Sequence, residues 1–322
     1  MQPTINLKEV STLVFKGGGM KGLAYLGAIH ELQKHVPLSQ FEQFVGTSAG
    51  AITAMLLSFR YSVEQIAGIV GAIDYENWLD HEWGVLRDAH NLRTQFGWCR
   101  SDVPRAWIEK QVKDALGDEK ATFRDLWKQK ESTLVVCAVN VNKEIPVYFG
   151  QEAWTLDLSI ADCVLASMSI PVVWEPVEIA GDLHIDGGLA DNYPINRYDL
   201  PWWQNDTVLG FWVDDAQKVA WLQNGHIPPS RPIGKDVIKY LIRVFGCATS
   251  AETVETATAG RDKWRTVYID TDVSTLDFEL DAQGKMEVIE DGRRGFREFL
   301  KRNVELSDTD SDTESTSSDG TL

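Results

Sequence analysis

Basic residues are scarce in this chain. Its 31 lysines and arginines stand against 48 aspartates and glutamates, so the formal net charge is −17 at pH 7. Nucleic-acid binding requires a basic surface for the phosphate backbone, and this composition therefore argues against a nucleic-acid partner. It also disfavours simple electrostatic adhesion to anionic membranes.

Long apolar stretches are missing as well. The longest uncharged run, at 43–59, is shorter than the roughly 20 residues that a bilayer-spanning helix needs. Residues 1–10 lack the basic start and apolar core of a signal peptide. We therefore expect neither a transmembrane segment nor a signal peptide, and a cytoplasmic protein that touches membranes at most peripherally.

Cysteine is rare, and the cysteines present are widely spaced. There is no Cys-x-x-Cys pair and no cluster of histidines, so we expect no zinc site and assign no metal or other cofactor. We interpret the cysteines as reduced thiols of the core: Cys99, Cys137, Cys163 and Cys247.

The pattern of the first 60 residues predicts two strand–loop–helix units. An apolar stretch at 10–15 runs into a glycine-rich loop and then a helix that ends near Lys34. A second stretch, at 41–45, runs into a turn of small residues and a charge-free helix at 49–59. Such units predict an α/β fold in which helices cover both faces of a mainly parallel sheet.

The turn of the second unit carries a Gly-x-Ser-x-Gly pattern, Gly46-Thr47-Ser48-Ala49-Gly50. In such an elbow the serine takes a strained backbone, and the two glycines let strand and helix pass closely. The hydroxyl of Ser48 then lies at a helix N-terminus, whose free N–H groups favour an alkoxide. This context predicts a nucleophile at Ser48; a plain helix N-cap serine is the alternative.

The loop of the first unit reads Lys16-Gly17-Gly18-Gly19-Met20-Lys21-Gly22. Three glycines between a strand and a helix expose backbone N–H groups, which form an anion site. The loop lacks the Gly-Lys-Ser/Thr ending of a P-loop and the full Gly-x-Gly-x-x-Gly of a dinucleotide fold, so a nucleotide is disfavoured. We expect the loop to supply an oxyanion hole beside Ser48.

Residues 60–130 turn helical and irregular, and we interpret them as an inserted helical cap. Four tryptophans of this segment either line a lipid-sized pocket or pack under loops, and both interpretations stay open: Trp78, Trp83, Trp98 and Trp107. Further along, strands are predicted at 133–139, 145–149, 174–179, 206–213 and 265–270, and helices at 158–168, 232–259 and 289–302.

An acid followed by two glycines, Asp186-Gly187-Gly188, follows the strand at 174–179. Alone, such an aspartate is most often a turn residue that bonds its own backbone. Here it accompanies the glycine-rich loop and the Ser48 elbow, and it is followed by Asn192 and Pro194. With a fourth stretch, Ala166-Ser167-Met168-Ser169-Ile170-Pro171, these motifs resemble the patatin-like phospholipase family over about residues 10–215.

The resemblance implies a three-layer α/β/α hydrolase that cleaves acyl esters of phospholipids and other glycerolipids without a metal. Ser48 is then the nucleophile of a catalytic dyad and Asp186 the base. The oxyanion hole would comprise Gly17, Gly18, Gly19 and Lys21, and three further residues would be structural: Ser167, Asn192 and Pro194. A carboxylate with an ordinary pKa near 3.9 is a poor base for a hydroxyl, so burial must raise the pKa of Asp186.

Rival interpretations stay open. His226 is the only histidine after Asp186, so an ordinary Ser-acid-His triad would have to use it. His184 would share a strand face with Asp186 and tune the site without being catalytic. The same dyad also suits a nonlipid esterase or thioesterase, and a blocked pocket would leave an inert lipid-binding protein.

The composition changes after Arg302. Residues 305–322 carry acids, serines and threonines but no basic residue, so we expect a disordered tail at 303–322 behind one domain at 1–302. Within the helix predicted at 232–259, Lys235, Lys239 and Arg243 recur at four-residue steps and form a basic stripe. The basic stripe is either a transient membrane contact or the solvated face of a core-packed helix.

Overall fold

The computed structural model describes residues 4–79, 96–224, 230, 240, 243–248, 261–275, 277 and 279–303. These residues form an α/β fold around an eight-stranded mixed sheet. Its parallel part has the order β10-β9-β1-β2-β4, with the strands Thr266–Asp270, Val208–Asp214, Thr12–Phe15, Gln43–Thr47 and Thr133–Asn140. Antiparallel strands extend it beyond β4: β5 (Ile145–Phe149), β8 (Asp182–Asp186) and β7 (Val177–Ile179).

Helices cover both faces of the sheet. One face carries α1 (Ala24–Leu32), α2 (Ala49–Ser58), α6 (Ile160–Met168) and α8 (Ala282–Asn303). The other face carries α7 (Ala216–Asn224) and a 3-10 turn at Pro194–Tyr198. Every residue of β1 and β9 is buried, as expected for parallel strands covered on both sides. The predicted three-layer α/β/α class is confirmed.

Three more helices fill the segment interpreted as a helical cap: α3 (Val63–Gly71), α4 (Asp102–Leu116) and α5 (Phe123–Lys130). Capping boxes start α3 at Ser62 and α5 at Thr122, and the left-handed Gly117 ends α4. The same segment also contributes a strand that the sequence did not predict, β3 (Gly97–Cys99). Residues 80–95, including Trp83, lie outside the described part.

The prediction of one strand at 174–179 was wrong. β6 (Val172–Trp174) pairs with β3 in a separate two-stranded sheet, whereas β7 pairs with β8 in the main sheet. Pro176 separates β6 from β7. Because proline lacks an N–H and restricts the residue before it, a ladder cannot continue through this point.

Other predictions are confirmed in part or lie outside the described residues. Cys99, Cys137 and Cys163 are buried as expected, but Cys247 is exposed, so its prediction as a core thiol was wrong. The helix predicted at 232–259 is described mainly at 243–248, which is helical. His226, Lys235, Lys239 and the tail from 304 onward lie outside the described part. Among the helices described, none combines the length and apolar character needed to cross a bilayer.

Glycines bring α1 and α8 into backbone contact. A Cβ on Gly27 of α1 would lie 1.8 Å from the carbonyl oxygen of Ile289, and one on Gly292 of α8 would lie 1.8 Å from that of Ala24. Helix axes approach this closely only where side chains are absent. The pair therefore fixes α8 against the helix that follows the glycine-rich loop.

We expect Gly27→Ala to destabilise the fold by about 1–3 kcal/mol, because the added methyl group must push two backbones apart. Gly68→Ala on α3 is the matched control, since nothing lies within 4 Å of its Cβ position. That exposed helix-interior change should raise stability by about 0.5–1 kcal/mol. Urea unfolding of both variants measures the difference, and equal stabilities would contradict the contact.

Candidate active site

Ser48 occupies a strained turn between β2 and α2. It caps α2 with φ 54° and ψ −125°, a backbone conformation that residues other than glycine rarely adopt. A Cβ on Gly46 would lie 2.2 Å from the carbonyl oxygen of Gly50, and one on Gly50 would lie 2.3 Å from that of Phe15. The elbow therefore requires glycine at both positions and forms as the motif predicts.

Ser167 holds this elbow to the neighbouring strand. Its hydroxyl donates to the carbonyl of Cys137 on β4 at 2.5 Å and accepts from the N–H of Ser48 at 2.9 Å. A second bond, from the hydroxyl of Thr47 to the carbonyl of Asp191 at 2.9 Å, ties the elbow to the segment after Asp186. These bonds support the strained backbone of Ser48.

The register of β4 brings Asp186 to Ser48. β5 occupies one edge of β4 from Val136 to Asn140, so β2 and β8 share the other edge. On that edge, Thr47 of β2 pairs with Cys137, and Asp186 of β8 pairs with the next residue, Ala138. β8 runs against β2, so the two strands end head to head. Ser48 and Asp186 are the residues at that junction.

The Asp186 carboxyl group is only 1% exposed and incompletely hydrogen-bonded. Oδ1 accepts from the N–H of Gly188 at 2.7 Å, whereas Oδ2 finds no partner within the described residues. Burial raises the pKa of Asp186 to about 7, opposed by the Gly188 bond and the nearby Ser48 hydroxyl. Ser48 and Asp186 do not form a fully aligned hydrogen bond, which is common in catalytic pairs without substrate.

The glycine-rich loop lies beside Ser48. A Cβ on Gly17 would be 3.2 Å from Cβ of Ser48. The N–H of Gly17 donates to the carbonyl of Asn192 at 3.1 Å, and the N–H of Met20 donates to that of Thr275 at 3.0 Å. The N–H groups of Gly18 and Gly19 have no acceptor in the described part of the chain. These two groups can therefore receive an anion.

Lys21, predicted for the oxyanion hole, is buried in an ion-pair cluster. Its ammonium lies 3.7 Å from Asp214 at the end of β9. Lys16 and Lys218 lie 3.4 and 3.1 Å from the same carboxylate. The three ammonium groups lower the pKa of Asp214 further than burial raises it. Lys21 thus contributes its charge to this cluster, and sequence reasoning missed Lys16, Asp214 and Lys218.

An apolar pocket opens beside Ser48. Its walls come from α1, α2, α3, α6 and the residues near them, among them Leu26, Ile52, Val70, Trp78 and Met168. Trp107 packs edge-on against Trp78, with ring centroids 5.6 Å apart, and stands behind this wall. Of the two interpretations left open for these tryptophans, Trp78 therefore fits the pocket and Trp107 fits ordinary packing.

The described histidine closest in sequence to Asp186 takes no part in this junction. His184 is buried and has a lowered pKa because burial disfavours its charged form. Its Nδ1 bonds the carbonyl of Asp182 at 3.0 Å, and its Nε2 lies 3.2 Å from the side-chain nitrogen of Asn140. Its contacts hold the β4–β8 ladder.

A family model matches this arrangement. Residues 13–197 match the model for patatin-like phospholipases. The chain belongs to the patatin-like phospholipase family. This patatin-like chain is 24% identical over 302 residues to the uncharacterised protein R571 of Acanthamoeba polyphaga mimivirus, covering 92% of this chain and 95% of R571. It is 29% identical over 189 residues to the probable lipid hydrolase 463L of Invertebrate iridescent virus 6, covering 59% of this chain and 63% of that protein.

A solved structure shares the fold. VipD from Legionella pneumophila superposes with a TM-score of 0.58 at 18% identity, covering 92% of this chain and 67% of VipD. The superposition extends past residue 197, where the family match ends. The fold therefore includes β9, β10 and α8 along with the motif-bearing part.

We expect Asp186→Asn to stabilise the protein at pH 8. The pKa of this carboxyl is about 3.9 in the unfolded chain and about 7 when folded, so the stability that it contributes falls as pH rises through this range. Asparagine keeps the shape and the acceptor for Gly188 but carries no charge. The variant should exceed wild type by up to about 4 kcal/mol at pH 8.

The difference should shrink as pH falls toward 4, where the folded carboxyl is protonated and the unfolded carboxyl is about half protonated. Urea unfolding of both proteins between pH 4 and pH 8 measures it, and acid effects from other groups cancel in the comparison. A difference independent of pH would contradict a raised pKa at Asp186.

Proposed function

We propose that this protein is a lipid acyl hydrolase of the phospholipase A or lysophospholipase type, a serine hydrolase with a Ser48–Asp186 dyad. The observation that carries the proposal is the meeting of a strained, helix-capping serine with a buried carboxyl group whose pKa is about 7. A base whose pKa lies near the working pH transfers protons efficiently. Asp186 is therefore buried, and its pKa is raised, as a carboxylate base for a serine hydroxyl requires.

In the acylation half, Ser48 Oγ attacks the ester carbonyl carbon and gives its proton to the Asp186 carboxylate. The carbonyl π electrons move to oxygen, which becomes the oxyanion of a tetrahedral intermediate. When the intermediate collapses, the bond to the leaving alcohol breaks and Asp186 returns the proton to that oxygen. A Ser48 acyl ester and a free alcohol, such as a lysolipid, result.

In the deacylation half, water takes the place of the alcohol. It attacks the acyl carbon, gives a proton to Asp186 and forms a second oxyanion. Collapse breaks the bond to Ser48 Oγ, which recovers the proton from Asp186, and a fatty acid leaves. Both side chains return to their starting states.

The oxyanion is assigned to the N–H groups of Gly18 and Gly19, together with the free N–H groups at the start of α2. Removing one hydrogen-bond donor of this kind lowers kcat about 10²–10³-fold. Gly17 and Lys21 support this group indirectly, because the N–H of Gly17 already bonds Asn192 and the ammonium of Lys21 pairs with Asp214.

The apolar pocket favours an acyl chain as the bound group. Ser48 is part of its mostly apolar lining, and an apolar lining with few polar groups suits a hydrocarbon ligand. The relative named a probable lipid hydrolase supports the same class. A nonlipid esterase or thioesterase and an inert lipid-binding protein remain as distinct outcomes of the tests below.

Ser48→Ala is expected to reduce hydrolysis of a fluorogenic medium-chain ester and fatty-acid release from phosphatidylcholine by at least about 10³-fold, since it removes the nucleophile. Asp186→Asn should be nearly as damaging, because it removes the base. His226→Ala should stay within about threefold of wild type. The kcat/KM values, together with melting curves that show folding, provide the measurement.

An active, folded Ser48→Ala variant would overturn the proposal. An equal loss in His226→Ala would establish the triad instead. If the wild-type protein hydrolyses short esters but releases no fatty acid from phosphatidylcholine, it is a nonlipid esterase. A wild-type protein that neither turns over esters nor reacts with a fluorophosphonate is the inert binding protein.

The basic stripe supports a second proposal, a transient contact with anionic membrane surfaces. Arg243 lies in the helical segment 243–248 with its side chain exposed. Reversing Lys235, Lys239 and Arg243 to Glu should weaken liposome binding, most at low salt where screening is least, and leave turnover of a soluble ester unchanged. Cosedimentation with anionic liposomes at two salt concentrations measures this, and unchanged binding at both would leave the stripe as a solvated helix face.

A further inference from the structure

Lys16 is a buried cation directly before the glycine-rich loop. Its ammonium donates to three oxygens: the carbonyl of Gly17 at 3.1 Å, the carbonyl of Val213 at 3.3 Å and Oδ2 of Asp214 at 3.4 Å. It also lies 5.1 Å from the centroid of the Trp212 ring. A buried lysine is costly, and here its three donors are all directed to the loop and to the end of β9.

The bond to Gly17 fixes an oxyanion donor. The carbonyl of Gly17 and the N–H of Gly18 belong to one peptide, which is planar and trans, so the two groups point in opposite directions. Holding the carbonyl therefore sets the direction of the Gly18 N–H. Because the donor is charged, the bond also polarises the peptide and strengthens that N–H as a donor.

The surroundings stop this peptide from rotating. The N–H of Gly17 bonds the carbonyl of Asn192 at 3.1 Å, which fixes the other side of the same residue. A Cβ on Gly18 would lie 2.7 Å from the side chain of Val213, so β9 packs directly against the loop. The Tyr25 hydroxyl bonds the carbonyl of Lys16 at 2.5 Å. Lys16 is thus held at its backbone and directed by its side chain.

Asp214 sustains the ammonium form of Lys16. The pKa of Lys16 is lowered to about 8, chiefly by burial and in smaller part by the charges of Lys218 and Lys21, while Asp214 opposes the fall. At pH 7 Lys16 is therefore mainly in its charged ammonium form. Removing Lys16 leaves Asp214 paired with Lys21 and Lys218, so the carboxylate is not orphaned.

We propose that Lys16 is a positioning residue for acyl transfer: its ammonium, held by Asp214, keeps the Gly17–Gly18 peptide turned so that the Gly18 N–H faces the oxyanion. This inference rests on the proposed function. Lys16 should therefore affect the stability of the transition state. It should not affect binding of the acyl chain, since Lys16 is not among the residues that line the pocket.

The test compares Lys16→Met with Lys218→Met at pH 7. Both remove one positive charge from Asp214, but only Lys16 bonds the Gly17 carbonyl. We expect Lys16→Met to lower kcat about tenfold with KM within about twofold. Affinity for a fatty-acyl trifluoromethyl ketone, which forms an oxyanion adduct with a serine, should fall by a similar factor. Lys218→Met should keep kcat and inhibitor affinity near wild type.

Lys16→Gln serves where Lys16→Met melts below the assay temperature, and it should show the same split between kcat and KM. Unchanged kcat in a folded Lys16 variant overturns the inference alone. Equal losses in the Lys16 and Lys218 variants, accompanied by lower melting temperatures, also overturn it by showing a structural role. A wild-type protein without Ser48-dependent hydrolysis overturns the proposed function and this inference together.

Discussion

β2 and β8 approach each other along one edge of β4 until they meet between Cys137 and Ala138. A strand edge can pair with one partner at each position, so the last residues of these two strands must be neighbours. That constraint places Ser48 and Asp186 together even though 138 residues separate them along the chain. The pocket, the glycine-rich loop and the bonds of Ser167 are all arranged around this junction.

The junction is locally unfavourable, and the surrounding structure compensates. Ser48 has a strained backbone, and Asp186 is buried with one carboxyl oxygen that has no aligned hydrogen bond among the described residues. Ser167 and Thr47 hold the elbow from two sides. The glycine-rich loop is held by Thr275 and, through Lys16, by Asp214, and both Thr275 and Asp214 lie beyond the residues that the family model matches. The C-terminal third of the described fold is therefore part of the site.

Local patterns were enough to predict the α/β class and the strained turn at Ser48, because a strand, a tight glycine turn and a helix follow one another in sequence. They could not show that the N–H of Gly17 is used by Asn192, or that Lys21 faces Asp214. These contacts join residues far apart in the chain, and nothing near Lys21 marks its partner. The break between β6 and β7 is different, because Pro176 marks it in the local sequence. The apolar residues on both sides of Pro176 nevertheless led to the prediction of one continuous strand.

The contact between α1 and α8 has a consequence for biosynthesis. A ribosome completes α1 and the glycine-rich loop early, yet Gly27 meets Ile289, and Met20 meets Thr275, only after most of the polypeptide has been made. A nascent chain therefore carries Ser48 long before it can hold the glycine-rich loop in place. The surroundings of Ser48 are therefore complete only once translation has passed α8.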